Sequence, residues 1–170
     1  MSASGYTDTA GRAVTLHEVD DENWRAVADV APLDGQRAHA PALAARYLLL
    51  SMRGGVWNSL AVCVDGRVVG HVMWARDEDG SYWIGGLLID GAEQGRGVGR
   101  AATAALSGRL AARGDCRVLR LSYAPGNTAA GRLYASLGFR VTGDTEGDEV
   151  VAELAAERVP PPSAGALPRC

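Results

Sequence analysis

The chain of 170 residues contains no lysine, so all 17 of its basic residues are arginine. A Schiff-base mechanism needs a lysine amine, and a P-loop needs the lysine of its Gly-Lys-Ser/Thr motif. The absence of lysine therefore excludes both kinds of chemistry.

Cysteine and histidine are also scarce. The chain has Cys63, Cys116 and Cys170, and His17, His39 and His71. No two cysteines form a CxxC pair, and none lies near a histidine cluster with metal-ligand spacing. Three cysteines cannot form a complete set of disulfides. The sequence thus predicts no disulfide framework, no redox pair and no metal site.

Long hydrophobic runs are missing as well. Hydrophobic residues make up 47% of the chain and charged residues 22%, which is typical of a globular domain. The net charge of -3 and the pI of about 5.6 disfavour nucleic-acid binding and suit a cationic small molecule. No apolar run reaches membrane-spanning length, and the N-terminus lacks a signal-peptide pattern. We therefore expect a cytoplasmic protein that binds neither nucleic acid nor membranes.

Composition divides the chain into three predicted parts. Residues 1–12 are small and polar and predict a flexible lead. Residues 159–170 are rich in proline, which continues neither a helix nor a central strand, and predict a tail. Residues 13–158 form the single predicted domain.

Hydrophobic periodicity predicts elements in the order β-α-α-β-β-β-α-β-α-β-β. The second helix is predicted over residues 41–51, beginning at Pro41, and the Asp65-Gly66 pair predicts a hairpin between two valine-rich strands. This order indicates an α/β (α+β mixed sheet) fold, with helices packed on a largely antiparallel sheet.

A glycine-rich turn precedes the third helix. A strand predicted to end at Ile89-Asp90 is followed by residues 94–100, QGRGVGR. The first turn of a helix has unpaired N–H groups and a partial positive charge, and glycines let an anion approach them closely. Arg96 and Arg100 would add charge-assisted donors. The alternative for this segment alone is a plain turn with a helix cap.

Two motifs resemble those of the GCN5-related N-acetyltransferase (GNAT) superfamily. The first is Gln94-x-x-Gly97-x-Gly99, which directly follows a strand. The second reads Asn-x-x-Ala-x-x-Leu-Tyr-x-x-x-Gly-Phe and occupies Asn127, Ala130, Leu133, Tyr134, Gly138 and Phe139. Both occur in the family's order, and the resemblance extends over about residues 12–155.

The resemblance implies a sheet that splays between its fourth and fifth strands and holds acetyl-CoA in the gap, without a metal. The implied cofactor-binding residues are Leu87, Leu88, Ile89, Gln94, Gly95, Arg96, Gly97, Val98, Gly99, Arg100, Asn127 and Tyr134. The strand residues would pair with the pantetheine arm through their backbone, as in peptide β-augmentation. Asn127 is alternatively a helix N-cap. Relatives are often homodimers, so a homodimer is a further expectation.

Tyr134 is implied to be the general acid that protonates the departing CoA thiolate. A phenol has a pKa of about 10 and is protonated at neutral pH, as this role requires. A buried core aromatic is the plainer interpretation of a tyrosine on this helix face.

The general base is open at this point. Some GNAT enzymes have a glutamate on the fifth strand, where this chain has Ser122. The candidates are Glu78 and Tyr82, with Asp79 and His71 as further options. Each also has a plainer interpretation, as a solvated turn residue or a sheet residue.

The acceptor is expected to be a small primary amine, because the chain looks most like bacterial spermine/spermidine N-acetyltransferases. Trp83, Gly85 and Gly86 are the candidate substrate-binding residues. That subfamily tends to have a Tyr-Arg pair where this chain has Gly85-Gly86, which predicts a wider cavity. The alternatives are acetylation of an amine-bearing antibiotic or secondary metabolite, or a non-catalytic acyl-CoA sensor.

Overall fold

A computed structural model of the protein describes residues 5–160. The seven strands are β1 (Val14–Glu18), β2 (Asn58–Val64), β3 (Arg67–Arg76), β4 (Tyr82–Ile89), β5 (Val118–Tyr123), β6 (Arg140–Glu146) and β7 (Glu149–Ala155). The helices are α1 (Trp24–Ala28), α2 (Ala45–Gly54), α3 (Val98–Ala111) and α4 (Thr128–Ser136). The element order is the one that the periodicity predicts.

The strands form one mixed sheet in the order β1-β2-β3-β4-β5-β7-β6. All neighbours are antiparallel except β4 and β5, which run parallel. These two strands pair only at Tyr82 with Leu119 and at Trp83 with Arg120. Beyond Trp83 no further pair joins the two strands in the described chain, so a cleft opens between them. The predicted mixed sheet and its splay are confirmed.

The alternation of side chains along β2 separates two layers of packing. Leu60, Val62 and Val64 belong to the main core on the α3 side, whereas Ala61 and Cys63 pack with residues of α1 and α2 on the opposite face. Successive side chains of a strand point to opposite faces, so a sheet covered on both sides reads as a continuous apolar run.

Helix α2 begins later than the sequence predicts. The backbone N–H of Ala44 donates to the carbonyl of Val30, and Ala44 is fully buried, so this point is anchored to the loop after α1. The helix then starts at Ala45 rather than at Pro41. This start brings Tyr47 into the first turn of α2.

The domain boundaries stay predictions. Residues 161–170, most of the predicted tail, lie outside the described residues. Within the predicted lead, Tyr6 packs against the main core and Thr9 bonds to Arg96. No helix in residues 5–160 has the length and apolarity needed to cross a membrane.

Candidate active site

Two cavities meet in the cleft between β4 and β5. The glycine-turn cavity, of about 600 Å³, lies against residues 94–100. The β3–β4 cavity, of about 500 Å³, lies against the end of β3 and the middle of β4. The residues that line both are His39, Tyr47, Leu87, Asn127, Ala130 and Tyr134. Any group that passes from one cavity to the other therefore passes Tyr134.

The glycine-turn cavity is lined by all of the predicted cofactor-binding residues except Arg96. Gly97 is the N-cap of α3 with φ 82°, and Gly95 has φ 71°. Both lie in the left-handed region, which residues with a Cβ rarely adopt. This backbone course leaves the unpaired N–H groups of the first turn of α3 beside the cavity, where an anion binds most favourably.

Three of the polar residues around this turn have structural partners. Gln94 donates to the carbonyl of Ile89 at 2.8 Å and pairs with Gln36 at 2.6 Å, so its amide braces the turn. Arg100 donates to Ser136 on α4 at 3.1 Å. The side chain of Arg96 is 54% exposed and lies 3.7 Å from Glu93, outside the cavity.

Asn127 caps α4, because its Oδ1 accepts from the N–H of Ala130 at 3.1 Å. The helix-cap interpretation is therefore correct, and it is compatible with a second role because Asn127 lines both cavities.

Tyr134 is half-buried between Tyr123 and Phe139, with ring centroids 5.7 and 6.2 Å away. Its hydroxyl has no hydrogen-bond partner among residues 5–160, so it is available to a ligand in the cleft. Burial, followed by the charges of Tyr47 and Glu149, raises the pKa of Tyr134 to about 12. The phenol is thus a proton donor throughout the neutral range.

The comparisons with known proteins agree with this geometry. The acetyltransferase (GNAT) family matches residues 16–139. This chain belongs to the GNAT family. It is an N-acetyltransferase with acetyl-CoA as co-substrate. The N–H groups beside the glycine-turn cavity suit the diphosphate of that molecule.

A spermine/spermidine N(1)-acetyltransferase of Bacillus subtilis (strain 168) is 27% identical over 150 residues, covering 83% of this chain and 98% of the relative. AAC(6')-Ib in complex with coenzyme A and kanamycin superimposes with a TM-score of 0.72 at 16% identity, covering 86% and 96% of the two chains. Spermidine N-acetyltransferase from Vibrio cholerae, in complex with CoA and spermine, superimposes with a TM-score of 0.67 at 14% identity, covering 86% of this chain and 97% of the other. The two structures confirm the fold.

The GNAT chain does not bring its two leading base candidates to the cleft. Tyr82 is fully buried, and its hydroxyl donates to the carboxylate of Asp115 at 2.9 Å and accepts from Arg113 at 3.0 Å. Glu78 lies in the exposed turn after β3 and lines neither cavity. We therefore retain neither as a base.

The two further candidates are also engaged elsewhere. Asp79 accepts from Ser81 and forms an ion pair with Arg120, and these contacts hold the pKa of its carboxyl well below the usual range. His71 is fully buried and has a partner for each ring nitrogen. Its Nδ1 lies 2.7 Å from the carbonyl oxygen of Gly86, and its Nε2 lies 2.9 Å from Oγ of Ser59.

His71 fixes the strand that borders the cleft. A carbonyl only accepts, so Nδ1–H donates to Gly86 and Nε2 accepts from the Ser59 hydroxyl. The ring stacks on Tyr47 at 5.4 Å, and burial lowers the pKa of His71 to about 4. The neutral imidazole thus holds the carbonyl of Gly86, which has φ 58° and lies where the β3–β4 register shifts.

The three predicted substrate-binding residues, Trp83, Gly85 and Gly86, all line the β3–β4 cavity. The expectation that the glycines widen it needs correction. A Cβ on Gly85 would lie 3.0 Å from the ring of Trp57, and one on Gly86 would lie 3.0 Å from Met73. Neighbouring side chains fill that space, so the glycines admit Trp57 and Met73 rather than a larger substrate.

Three carboxylates that sequence reasoning missed also line this cavity: Asp77, Glu146 and Glu149. None of them forms an ion pair with a described residue. Ser122 donates to Glu149 at 2.6 Å, so a carboxylate from β7 stands beside the strand-five serine. The acidic run DTEGDE at 144–149 is the sequence signal for two of them, although its pattern predicts only a hairpin turn.

Proposed function

We propose that this enzyme acetylates a primary amine of a small, polyamine-like cation by direct attack on acetyl-CoA in a ternary complex. The observation that carries the proposal is the set of carboxylates on the β3–β4 cavity that have no ion-pair partner among residues 5–160. Glu146 and Glu149 are direct partners across the β6–β7 hairpin. Like charges in that position repel, and a bound cation relieves the repulsion.

The walls of the same cavity suit an alkylammonium ion. They include the rings of Tyr47, Trp57, Trp83 and Tyr123. Aromatic faces attract ammonium groups and cover the intervening methylenes. The cavity's arginine, Arg76, is paired with Asp115 at 3.3 Å, so it offsets little of the negative charge.

In the proposed donor site, the diphosphate lies at the N–H groups of the glycine turn and the pantetheine arm lies along Leu87–Ile89. Asn127 steadies the arm from the α4 side. The thioester then lies at the junction of the two cavities. There Tyr134 donates its proton to the sulfur as the C–S bond breaks.

In the proposed acceptor site, Glu149 receives the proton that the ammonium must lose before its nitrogen attacks. Its position supports this role, because Glu149 contributes to the raised pKa of both Tyr47 and Tyr134 and so lies near both phenols. The neutral amine nitrogen then attacks the thioester carbon, and the C–S bond breaks as Tyr134 protonates the sulfur, so that CoA leaves as the thiol. The second proton lost by the nitrogen restores the phenol of Tyr134, and Glu149 releases the first proton to solvent.

The names of the Bacillus subtilis relatives support a polyamine acceptor. Acetylation of a bulky antibiotic amine is the second candidate, and the filling of the space beside Gly85 by Trp57 weakens it. Tyr134 lines both cavities, and its hydroxyl has no hydrogen-bond partner among residues 5–160, which argues against a non-catalytic sensor. A cytoplasmic location and a homodimer remain predictions.

A thiol-release assay with acetyl-CoA and a panel of putrescine, spermidine, spermine, kanamycin and monoamines tests the proposal. We expect turnover with the di- and polyamines. Turnover with kanamycin alone would favour the second candidate, and CoA binding without turnover would favour the sensor.

The variant Glu149→Gln tests the carboxylate. We expect kcat/KM for the best amine to fall about 100-fold, the range of a lost general base. Glu157→Gln is the matched control, because it removes the same charge from an exposed residue outside both cavities. Equal kcat/KM in the two variants would remove Glu149 from the mechanism.

A further inference from the structure

The segment before β1 closes onto the glycine turn. The backbone N–H and the Oγ1 hydroxyl of Thr9 both donate to the carbonyl oxygen of Arg96, each at 2.9 Å. The approach is so close that a Cβ on Gly97 would lie 3.0 Å from Cγ2 of Thr9. Position 97 therefore needs a glycine for two reasons: its φ is left-handed, and Thr9 lies too close to leave room for a Cβ.

This contact sets the direction of one N–H group in the proposed diphosphate site. The C=O of Arg96 and the N–H of Gly97 belong to one planar trans peptide, in which they point in opposite directions. Because Thr9 holds the oxygen on its own side, the N–H of Gly97 points away from Thr9. That N–H has no acceptor among residues 5–160, and Gly97 lines the glycine-turn cavity.

A turn built around Asp8 holds Thr9 in place. Asp8 is only 6% exposed, and its Oδ1 accepts from the backbone N–H groups of Ala10 and Arg12, both at 2.9 Å. Its Oδ2 lies 2.7 Å from Nε of Arg12. These bonds fix the segment internally, so Thr9 meets Arg96 from a preformed turn.

Arg12 links the same turn to Glu93, with Nη2 and Oε2 2.7 Å apart. Glu93 is buried directly before the glycine turn, and its other cationic neighbours, Arg67 and Arg96, are farther away at 3.6 and 3.7 Å. The hydrogen bond from Arg12 lowers the pKa of Glu93, so the carboxylate is charged. Without Arg12, that charge would repel a diphosphate bound at the turn.

We propose that residues 6–12 form a clasp that positions the donor's diphosphate site: Thr9 orients the Arg96–Gly97 peptide, and Arg12 neutralises Glu93. These are positioning residues, because they act through the turn and not on the reacting atoms. The inference rests on the proposed placement of acetyl-CoA at this turn.

Calorimetric titration of the full chain with CoA tests the clasp. We expect Arg12→Gln to weaken CoA binding about tenfold, with a parallel rise in KM for acetyl-CoA and a change of less than twofold in kcat. The double variant Arg12→Gln/Glu93→Gln should recover part of the loss, because the charge of Glu93 beside the turn is gone while Asp8 still lacks its partner. Thr9→Val keeps the backbone bond and loses the hydroxyl, so we expect about a threefold weakening.

Two controls separate the clasp from general damage to the fold. Arg140→Gln removes the same charge from the exposed strand β6 and should leave CoA affinity unchanged. S-acetylpantetheine, which lacks the diphosphate, should react with Arg12→Gln as it does with the wild type.

Each outcome has a distinct meaning. A wild type that binds no CoA would overturn the proposed site and the clasp together. A wild type that binds CoA, with Arg12→Gln equally tight, would overturn the clasp alone. An equal loss with S-acetylpantetheine would also overturn it, because the defect would then lie outside the diphosphate site.

Discussion

The two cavities of the cleft are built in different ways. The glycine-turn cavity is lined by three segments: the end of β4 with the glycine turn, helix α4 with its cap Asn127, and residues between positions 35 and 47. The β3–β4 cavity is formed by side chains from α2, from the loop before β2, and from β3, β4, β5 and the β6–β7 hairpin. The glycine-turn cavity presents N–H donors, Arg100 and the ion-paired Glu93, whereas the β3–β4 cavity presents aromatic rings, the ion-paired Arg76 and three carboxylates that have no ion-pair partner among residues 5–160.

This difference follows the chemistry of the two ligands. Every acetyl-CoA carries the same diphosphate, and backbone N–H groups can bind it whatever side chains surround them. An acceptor amine differs from enzyme to enzyme, so its recognition depends on the identity of scattered side chains. Tyr134 lines both cavities at their boundary, where the proposed acceptor amine and thioester would meet.

The largest predicted effect belongs to that boundary. Tyr134→Phe removes only the hydroxyl, so we expect kcat to fall about 100-fold or more because the thiolate leaves without its proton donor. CoA affinity and amine KM should change less than threefold, since neither cavity loses a wall. Steady-state kinetics with calorimetry checks this, and Tyr123→Phe is the matched control. A kcat within fivefold of the wild type would remove Tyr134 as the acid.

The element order and the glycine turn were predictable because their signals are local. The Asp65-Gly66 turn is confirmed by its positive φ values of 50° and 73°, and the glycine turn precedes α3 as its spacing indicates. The contact between Ser122 and Glu149 was not predictable. It requires β7 to lie between β5 and β6, and no local pattern in the sequence encodes that strand order.

Trp57 beside Gly85 is a second case of non-local packing. The sequence shows that the glycine lacks a side chain but not which distant ring takes its place. For the same reason, the strand positions of Tyr82 and His71 make both residues candidates for the general base. Only the neighbours that they contact in the fold show that both are structural.

An intermediate effect is predicted for His71, which supports the acceptor side through the carbonyl of Gly86. Its folded pKa of about 4 lies below the ordinary value of 6.5, so the unfolded chain binds more protons between these values. The contribution of the neutral imidazole to the free energy of unfolding is therefore complete above pH 6.5, and it is lost as the pH falls towards 4. We expect this group to lower the free energy of unfolding by about 3 kcal/mol over that range.

Urea unfolding at pH 7 and pH 4 measures this contribution of His71 to the free energy of unfolding. The wild type should lose about 3 kcal/mol more than His71→Gln between the two pH values, even though the variant is less stable at pH 7. His39→Gln changes an exposed histidine and should retain the wild-type dependence. Parallel pH dependences in the wild type and His71→Gln would show that the imidazole is not held neutral by burial.

The smallest predicted effect tests whether the β3–β4 cavity is closed beside Gly85. In Gly85→Ala the new methyl would lie 3.0 Å from Cη2 of Trp57, so the indole must move by a few tenths of an ångström. Because Trp57 lines the cavity, we expect about a threefold rise in KM for the amine and no change in KM for acetyl-CoA. Gly54→Ala adds the same methyl in open space and should change neither constant. If Gly85→Ala changed only the KM for acetyl-CoA, this position would belong to the donor side, and the division of the cleft at Tyr134 would be wrong.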